Sequence, residues 1–534
     1  MSRWVKVALK VGITGRFTAM IGFAAGRFIT NVCRAWNECM PRNKRMYQFI
    51  MTRHEVLIEG LSLRGWGRGT LCIDEKKYGV EVRNALPGDR VLAELRRIEK
   101  NSFEAEVVEF VSHGYARVAE RCRHAGCRRD KDTGCGGCTL QSIGYETQLD
   151  LKHTLLQRCL KGNHVEATPN PVLPCVNQWF YRNKMELTFG PDGADQLGVG
   201  LHPAGFQHEV ITLRQCETLS PLIAELCVKT TQWAQANGVT YYVFRKNSGF
   251  LRNLTFREGK RTGKNMVILT TSGEDNLPFG DGIKTAREII DHYAAHVLGN
   301  LSHAIDTFYW TTIVTVKGCK TVQEDHLIFG PSVLREVMYV PDEAHALAFE
   351  ILPHAFFQPN TLQAERLYDI VRRQAEPFMK SDTPVLDLYC GTGTIALSFA
   401  RHGHRAIAVD IEVQAIENAR ANAEYNGLAD KVEFYAGDTA ETLKQLLDRD
   451  AKFSEYLLVI DPPRRGLLPP AYKQIMRLGI DTIIYVSCNP ESLANDLEKF
   501  LLDGYKIHNI QPVDMLPQTA HLETVVTLSR REKW

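Results

Sequence analysis

Residues 385–410, VLDLYCGTGTIALSFARHGHRAIAVD, alternate strand-like and helix-like patterns. The apolar runs VLDLYC and AIAVDI flank the segment IALSFARHG, whose apolar residues recur at helical spacing. The alternation continues downstream with the helical segments QAIENARANAEYNG and AETLKQLL and the strand-like segments VEFYAG, YLLVID, IIYVSC and VVTLSR. Strands that alternate with helices predict a Rossmann-like, doubly wound α/β sheet.

A glycine turn follows the first strand of this predicted sheet. Gly391 and Gly393 would let the backbone approach a ligand at the carboxyl edge of the sheet. Asp410 ends the second strand, where a carboxylate can accept hydrogen bonds from ribose hydroxyls. The pattern predicts a nucleoside-bearing cofactor. Because Ala396 also permits the looser GxGxxA form, the glycines leave open which cofactor binds.

Two other kinds of pattern precede this region. From residue 55 to 111, apolar positions alternate in short bursts between glycines, which is typical of a small β-barrel. Residues up to about 350 mix strand-like runs such as KNMVILTT with the helical run PLIAELCVKTTQWAQ, which predicts an α+β domain. We therefore divide the chain into an N-terminal extension (1–50), an OB-like barrel (51–112), a central α+β domain (113–350) and the α/β domain (351–534).

Composition indicates an ordinary globular protein of 534 residues, with 44% apolar and 24% charged residues. Its net charge of +2 means that a nucleic acid would be held by local basic patches. The 14 cysteines include close pairs that are typical of metal or catalytic sites, and they favour a reducing, cytoplasmic location. We expect a monomer with no obligate protein partner.

Residues 1–50 are basic and contain a single acid, Glu38. Arg16 and Arg27 interrupt their apolar stretch, so no run is long enough to span a membrane, and we predict no membrane association. We interpret the segment as sequence upstream of a true start at Met46 or Met51. An organellar transit peptide is the alternative.

Six motifs occur in one order between residues 356 and 530: FFQPN, LDLYCGTGT, AVDIE, VIDPPRRGL, YVSCNP and HLETVVTLSR. In this order they resemble the RNA uracil-5-methyltransferase family, and the resemblance extends over most of residues 55–530. The segments EGLSLRGWGRGTLCI and NALPGDRV resemble the TRAM domain, an RNA-binding module of the OB type. The resemblance implies that S-adenosylmethionine is bound by Gln358, Tyr389, Asp410 and Asp461, with Asp438 near the adenine.

Methylation at C5 of uracil requires covalent catalysis, because this carbon is a poor nucleophile until a thiolate adds to C6. Cys488, in YVSCNP, matches the family's nucleophile, and Glu523, in HLETVV, matches the base that removes the C5 proton. Apart from these motifs, Cys488 would be interpreted as a small buried hydrophobe and Glu523 as a solvated charge. Arg464 is expected to hold a phosphate or the base.

A cysteine-rich loop contains Cys135 and Cys138 at CxxC spacing, which suits zinc or an iron–sulfur cluster. The family resemblance implies a 4Fe-4S cluster with Cys122 and Cys216 as the outer ligands. Cys127 is the alternative first ligand, because the loop is longer than the common pattern. Zinc is the alternative metal, and a metal-free loop is the third possibility.

The expected substrate is RNA, with the target uridine flipped out of the fold to reach the pocket. The TRAM-like segment and the cysteine loop favour 23S ribosomal RNA over transfer RNA. An amino-methylating enzyme would need an aromatic residue where Arg464 follows DPP, and a cytosine-5 enzyme would need a proline–cysteine pair. A non-catalytic RNA-binding protein is the alternative of another class. Intact Cys488, Glu523 and Gln358 argue against it.

Overall fold

The computed structural model describes residues 53–73, 75–99, 102–127, 130, 132–316, 318–449 and 452–530. The basic N-terminal extension predicted at residues 1–50 lies outside the described residues. Among the residues described, no helix is both long and apolar enough to cross a membrane.

The first unit is a closed five-stranded barrel with the strand order β1-β2-β3-β5-β4. Its strands are β1 (Arg53–Leu61), β2 (Gly67–Ile73), β3 (Lys76–Arg83), β4 (Arg90–Glu99) and β5 (Ser102–Ser112). Alternate residues such as Val56, Ile58 and Val80 fill its interior. The alternating apolar positions of residues 55–111 therefore correspond to barrel strands, because one face of each strand is buried in the interior.

The second unit is a seven-stranded sheet with the order β14-β13-β10-β9-β6-β7-β8, which is antiparallel except for the β10–β13 pair. Its strands are β6 (Lys184–Pro191), β7 (Leu197–Leu201), β8 (Ile211–Thr212), β9 (Leu251–Glu258), β10 (Asn265–Ser272), β13 (Thr307–Val314) and β14 (Val322–Phe329). Two helices, α2 (Pro221–Ala236) and α3 (Ala286–Tyr293), cover one face, and β11 (Leu277–Phe279) and β12 (Gly282–Lys284) form a short hairpin.

The third unit is a seven-stranded sheet with the order β19-β18-β17-β20-β21-β23-β22. The parallel strands are β17 (Val385–Leu388), β18 (Ala406–Asp410), β19 (Val432–Ala436), β20 (Leu457–Ile460) and β21 (Thr482–Ser487); the last two strands, β22 (Tyr505–Val513) and β23 (Glu523–Arg530), run antiparallel to their neighbours. The helices are α4 (Thr361–Ala375), α5 (Thr394–Arg401), α6 (Val413–Tyr425), α7 (Thr439–Arg449), α8 (Pro469–Leu478) and α9 (Pro490–Leu502). The predicted strand–helix alternation is present, with the addition of edge strand β22.

Two segments N-terminal to residue 351 also pack on this sheet. Helix α1 (Tyr145–Gly162) buries Leu149, Leu156 and Leu160 in the core that contains Leu386 and Ile483. The hairpin of β15 (Leu334–Tyr339) and β16 (Ala346–Ile351) contributes to the core on the other side of the sheet. Helix α1 and the β15–β16 hairpin, which precede the third unit in sequence, therefore form part of its hydrophobic core.

Candidate active site

The glycine turn after β17 has the backbone conformation that a close ligand approach requires. Gly391 and Gly393 have φ angles of 54° and 78°, and Tyr389 has a φ of 66°, an outlier for a bulky residue. A Cβ atom on Gly393 would lie 2.8 Å from the ring of Phe434. Buried Asp387 accepts a hydrogen bond from the Ala396 N–H at 3.0 Å, which fixes the turn to helix α5.

Carboxylates at the ends of β18 and β19 flank this turn. Asp410 accepts a hydrogen bond from the Gly391 N–H at 2.8 Å, and its second oxygen accepts one from the Glu412 N–H at 2.9 Å. Asp438 precedes helix α7 and accepts a hydrogen bond from the Ala440 N–H at 2.9 Å. Both predicted cofactor carboxylates therefore lie at the carboxyl edge of the sheet, where doubly wound proteins bind nucleosides.

The loop between β16 and α4 carries Gln358. Asn183 donates a hydrogen bond to the Gln358 backbone carbonyl at 2.7 Å, so this loop is tied to the start of β6. Phe356, which is 62% exposed, lies 3.9 Å from where a Cβ of Gly391 would be. Phe356 is the first residue of the FFQPN motif, and the sequence alone predicts no role for it. Its exposed ring beside the turn adds an apolar surface to the site.

Cys488 follows β21, at the same edge of the sheet as the glycine turn. Burial, together with the negative charges of Glu523 and Asp461, raises the pKa of this thiol from 9.0 to about 11, and Arg464 opposes the shift. The thiol and both carboxyls are half-buried. The predicted nucleophile and base are therefore within electrostatic range of one another.

The two carboxyls beside Cys488 are also perturbed. Burial raises the pKa of Glu523 from 4.5 to about 8, with a further contribution from Asp461 and an opposing one from Arg464. Burial raises the pKa of Asp461 from 3.8 to about 7. Such values near neutrality are typical of groups that exchange protons during a reaction.

Arg464 is fixed in the site by hydrogen bonds to both its side chain and its backbone. Its guanidinium donates a hydrogen bond to Nδ1 of His521 at 2.9 Å, and its carbonyl accepts one from Asn489 at 2.8 Å. Burial, together with the charge of Arg464, lowers the pKa of His521 to about 4, so the imidazole is neutral and can accept this bond. His521 is a site residue that was not predicted from the sequence, although it lies two residues before Glu523 in the HLETVV motif.

The loop from β22 to Glu523 is braced by helix α1. Lys152 and Asp514, both fully buried, form an ion pair at 2.5 Å, and Asp514 also accepts a hydrogen bond from Tyr145 at 2.7 Å. Gln148 donates to the Gln518 side chain at 2.9 Å. These contacts join residues more than 360 positions apart, so no local sequence pattern predicts them.

Four of the cysteines lie near one another. Burial and the thiols of Cys216 and Cys122 raise the pKa of Cys135 to about 12, and the same thiols together with Cys135 raise the pKa of Cys138. Cys127 lies on the wall of a neighbouring cavity that Cys138 also lines. Within the described part of the chain, no three His, Cys, Asp or Glu side chains are spaced to hold a single metal ion.

Comparison with known proteins shows the family of this chain. Residues 311–531 match the family model described as tRNA (Uracil-5-)-methyltransferase. An uncharacterized RNA methyltransferase of Protochlamydia amoebophila is 32% identical over 459 residues, which are 84% of this chain and 100% of the relative. The chain belongs to the RNA (uracil-5-)-methyltransferase family.

Further similarities extend along most of this RNA (uracil-5-)-methyltransferase. An uncharacterized RNA methyltransferase of Clostridium tetani is 32% identical, with 85% of this chain and 93% of the relative covered. Among solved structures, the Pyrococcus abyssi tRNA (uracil-54, C5)-methyltransferase in complex with S-adenosyl-L-homocysteine is 27% identical with a TM-score of 0.64. The match covers 89% of this chain and all of that one. S-adenosylmethionine is accordingly the methyl donor of this enzyme, and the glycine turn with its flanking carboxylates fits it.

Proposed function

We propose that this enzyme methylates C5 of a uridine in RNA through a covalent adduct between Cys488 and C6 of the base. The observation that carries the proposal is the association of the Cys488 thiol with Glu523 and Asp461 at the sheet edge that bears the glycine turn. An amino-methylating enzyme has no use for a thiol at this position. A thiol beside a carboxyl of raised pKa suits addition followed by elimination.

In the proposed reaction, the Cys488 thiolate adds to C6 and moves the electron pair of the C5–C6 bond to C5. C5 then attacks the methyl carbon of S-adenosylmethionine; the C5–CH3 bond forms as the S–CH3 bond breaks, and S-adenosylhomocysteine leaves with the electron pair of that bond. Glu523 removes the proton that remains on C5, and the electrons of that C–H bond restore the double bond as the sulfur is expelled. Arg464 and neutral His521 would hold the polar edge of the base during these steps.

Gln358, Tyr389, Asp410, Asp438 and Asp461 are proposed to bind S-adenosylmethionine. Asp410 and Asp438 belong to adjacent parallel strands, and a nucleoside that crosses these strand ends would meet both carboxylates. The exposed ring of Phe356 beside Gly391 supplies an apolar wall for the same space.

We propose 23S ribosomal RNA as the target, on the resemblance of the barrel segment to the TRAM domain and on the cysteine loop. Transfer RNA is the second candidate, because the Pyrococcus abyssi structure is that of a tRNA (uracil-54, C5)-methyltransferase. A barrel of the OB type suits either RNA, since it binds the polynucleotide rather than the target base.

A 4Fe-4S cluster held by Cys122, Cys135, Cys138 and Cys216 is proposed for the cysteine loop. The donor set consists of four thiols that influence one another electrostatically, which fits a cluster. Zinc, which four thiolates would bind at about 2.3 Å, is the alternative occupant of the same cysteines. Cys122→Ser should abolish iron and sulfide binding, whereas Cys127→Ser should leave both unchanged; the reverse result would make Cys127 the first ligand.

The decisive experiment incubates the purified enzyme with methyl-labelled S-adenosylmethionine and undermodified total RNA, followed by digestion of the RNA to nucleosides. We expect label in 5-methyluridine for wild type and for Cys319→Ala, a matched change at an exposed cysteine, and none for Cys488→Ala. Separation of the labelled RNA by size distinguishes ribosomal from transfer RNA. Label that persists in Cys488→Ala would refute the proposed nucleophile.

A further inference from the structure

Two cations lie side by side on one face of the central sheet, and neither forms an ion pair with a described residue. Lys184 on β6 and Arg257 on β9 are directly paired in the antiparallel register, so their side chains project from the same face. Lys184 is half-buried, and Arg257 is only 2% exposed. Like charges placed opposite each other in a sheet destabilise it, and burial increases the cost.

The partners of these side chains do not neutralise them. The Arg257 guanidinium donates to the Ala355 carbonyl, and its Nε is buried without a hydrogen-bond partner. Among the described residues, neither cation forms an ion pair. The nearest influence of opposite charge on Lys184 is that of Glu186, which is exposed and only partly offsets the effect of burial and of Arg257 on the Lys184 pKa. Burial lowers the pKa of Lys184 to about 8 and that of Arg257 to about 10. An anion bound between the two side chains would offset both their mutual repulsion and the cost of burying their charges.

The cation pair lies against the loop that forms one wall of the candidate active site. Arg257 contacts Ala355, which precedes exposed Phe356, and Asn183, next to Lys184, donates to the Gln358 carbonyl. On the opposite face of the sheet, apolar side chains form the core beneath α2 and α3. The face with the cations therefore looks toward the methyltransferase sheet rather than toward the helices of its own unit.

We propose that Lys184 and Arg257 bind a backbone phosphate of the RNA beside the target uridine. The inference rests on the proposed function, because it assigns the anion to the RNA substrate. A phosphate has the charge and the acceptor oxygens to satisfy an ammonium and a guanidinium together. Bound at this position, it would hold the strand next to Phe356 while the base enters the pocket that contains Cys488.

The first test measures the salt dependence of binding of a short oligouridylate to the full-length protein. Loss of one phosphate contact to a single strand should reduce the slope of log K against log salt by about 0.7. We expect this reduction for Lys184→Met and a slope close to that of wild type for Lys184→Arg. Lys229→Met, on the outer helix α2, is the matched control and should leave the slope unchanged.

An unchanged slope for Lys184→Met would overturn the proposal. So would a loss of S-adenosylmethionine affinity with RNA binding intact, because the anion would then be the carboxylate of the methyl donor. Neither measurement requires turnover, so the result is independent of whether Cys488 is the nucleophile. The labelling experiment above tests the nucleophile separately.

A second measurement uses the wild-type protein and does not depend on the folding of a variant. An acylating reagent at pH 8 should modify Lys184, and mass spectrometry can follow this site beside Lys229. We expect oligouridylate to slow acylation of Lys184 at least several-fold and to leave Lys229 unaffected. Protection of Lys184 by S-adenosylmethionine instead of oligouridylate would refute the assignment to RNA.

Discussion

The reactivity of Cys488 is predicted to be suppressed until the substrate binds. Its pKa of about 11 lies two units above the ordinary 9.0 of a thiol, so the thiolate is about a hundredfold scarcer at a given pH. A more basic thiolate is intrinsically more nucleophilic, which recovers a factor of about six to ten. The net expectation in the free enzyme is alkylation about tenfold slower than at an unshifted thiol.

The assay follows iodoacetamide alkylation of Cys488 by mass spectrometry across a pH series, with exposed Cys319 as the internal reference. The rate at Cys488 should still rise steeply at pH 10. Glu523→Gln should shift this rise to lower pH because it removes a negative charge, and Arg464→Gln should shift it to higher pH. A pH dependence that levels off near pH 9 and is the same in both variants would refute the electrostatic account.

Three further predictions concern the base, the brace and the glycine turn. Single-turnover methylation should rise at least about tenfold from pH 7 to pH 9, because the carboxyl of Glu523, with its raised pKa of about 8, is only about one-tenth ionised at pH 7, and because the Cys488 thiolate also becomes more abundant over this range; a rate that is flat from pH 7 to pH 9 would exclude Glu523 as the base. Lys152→Met should lower the free energy of unfolding by about 3–5 kcal/mol, because Asp514 is left buried without its cation, and Lys152→Met with Asp514→Leu should recover most of the loss in urea unfolding. Gly393→Ala should weaken S-adenosylmethionine binding about tenfold, because the φ of 78° and the 2.8 Å approach of the new Cβ to Phe434 impose strain of about 1–3 kcal/mol. The control is Gly403→Ala, at a glycine with a φ of 101° and open space around it, and it should leave the affinity for S-adenosylmethionine, measured by calorimetry, unchanged.

The parallel part of the methyltransferase sheet could be predicted from the sequence because its central strands, β17, β20 and β21, are buried on both faces. Such strands appear as nearly continuous apolar runs, as in LLVI of β20 and TIIYVS of β21. Strand β22 was missed because it lies at the edge of the sheet, alternates exposed and buried residues irregularly and contains a register shift between Ile507 and Asn509. The local pattern of an edge strand carries less information than that of a central strand.

The candidate site could be predicted only as far as its motifs extend. Family motifs identified Cys488 and Glu523, which the structure brings within electrostatic range of each other. The partner of Arg464 could not be predicted, because its hydrogen bond to His521 joins the end of β20 to the loop before β23. The Lys184–Arg257 pairing likewise depends on sheet register, which the separate patterns of β6 and β9 do not specify.

The loop before Glu523 is positioned from outside the active site. Leu140 lies only two residues after Cys138, and its N–H donates a hydrogen bond to the Gln518 carbonyl at 3.0 Å. Ala520, three residues before Glu523, packs in a small core with Leu140 and with Leu61 of the barrel. The cysteine loop and the barrel therefore meet the catalytic loop directly. Because the proposed base, Glu523, must lie within hydrogen-bond reach of the proton that it removes, we predict that a disturbance of the cysteine loop changes the rate of methylation through the position of Glu523.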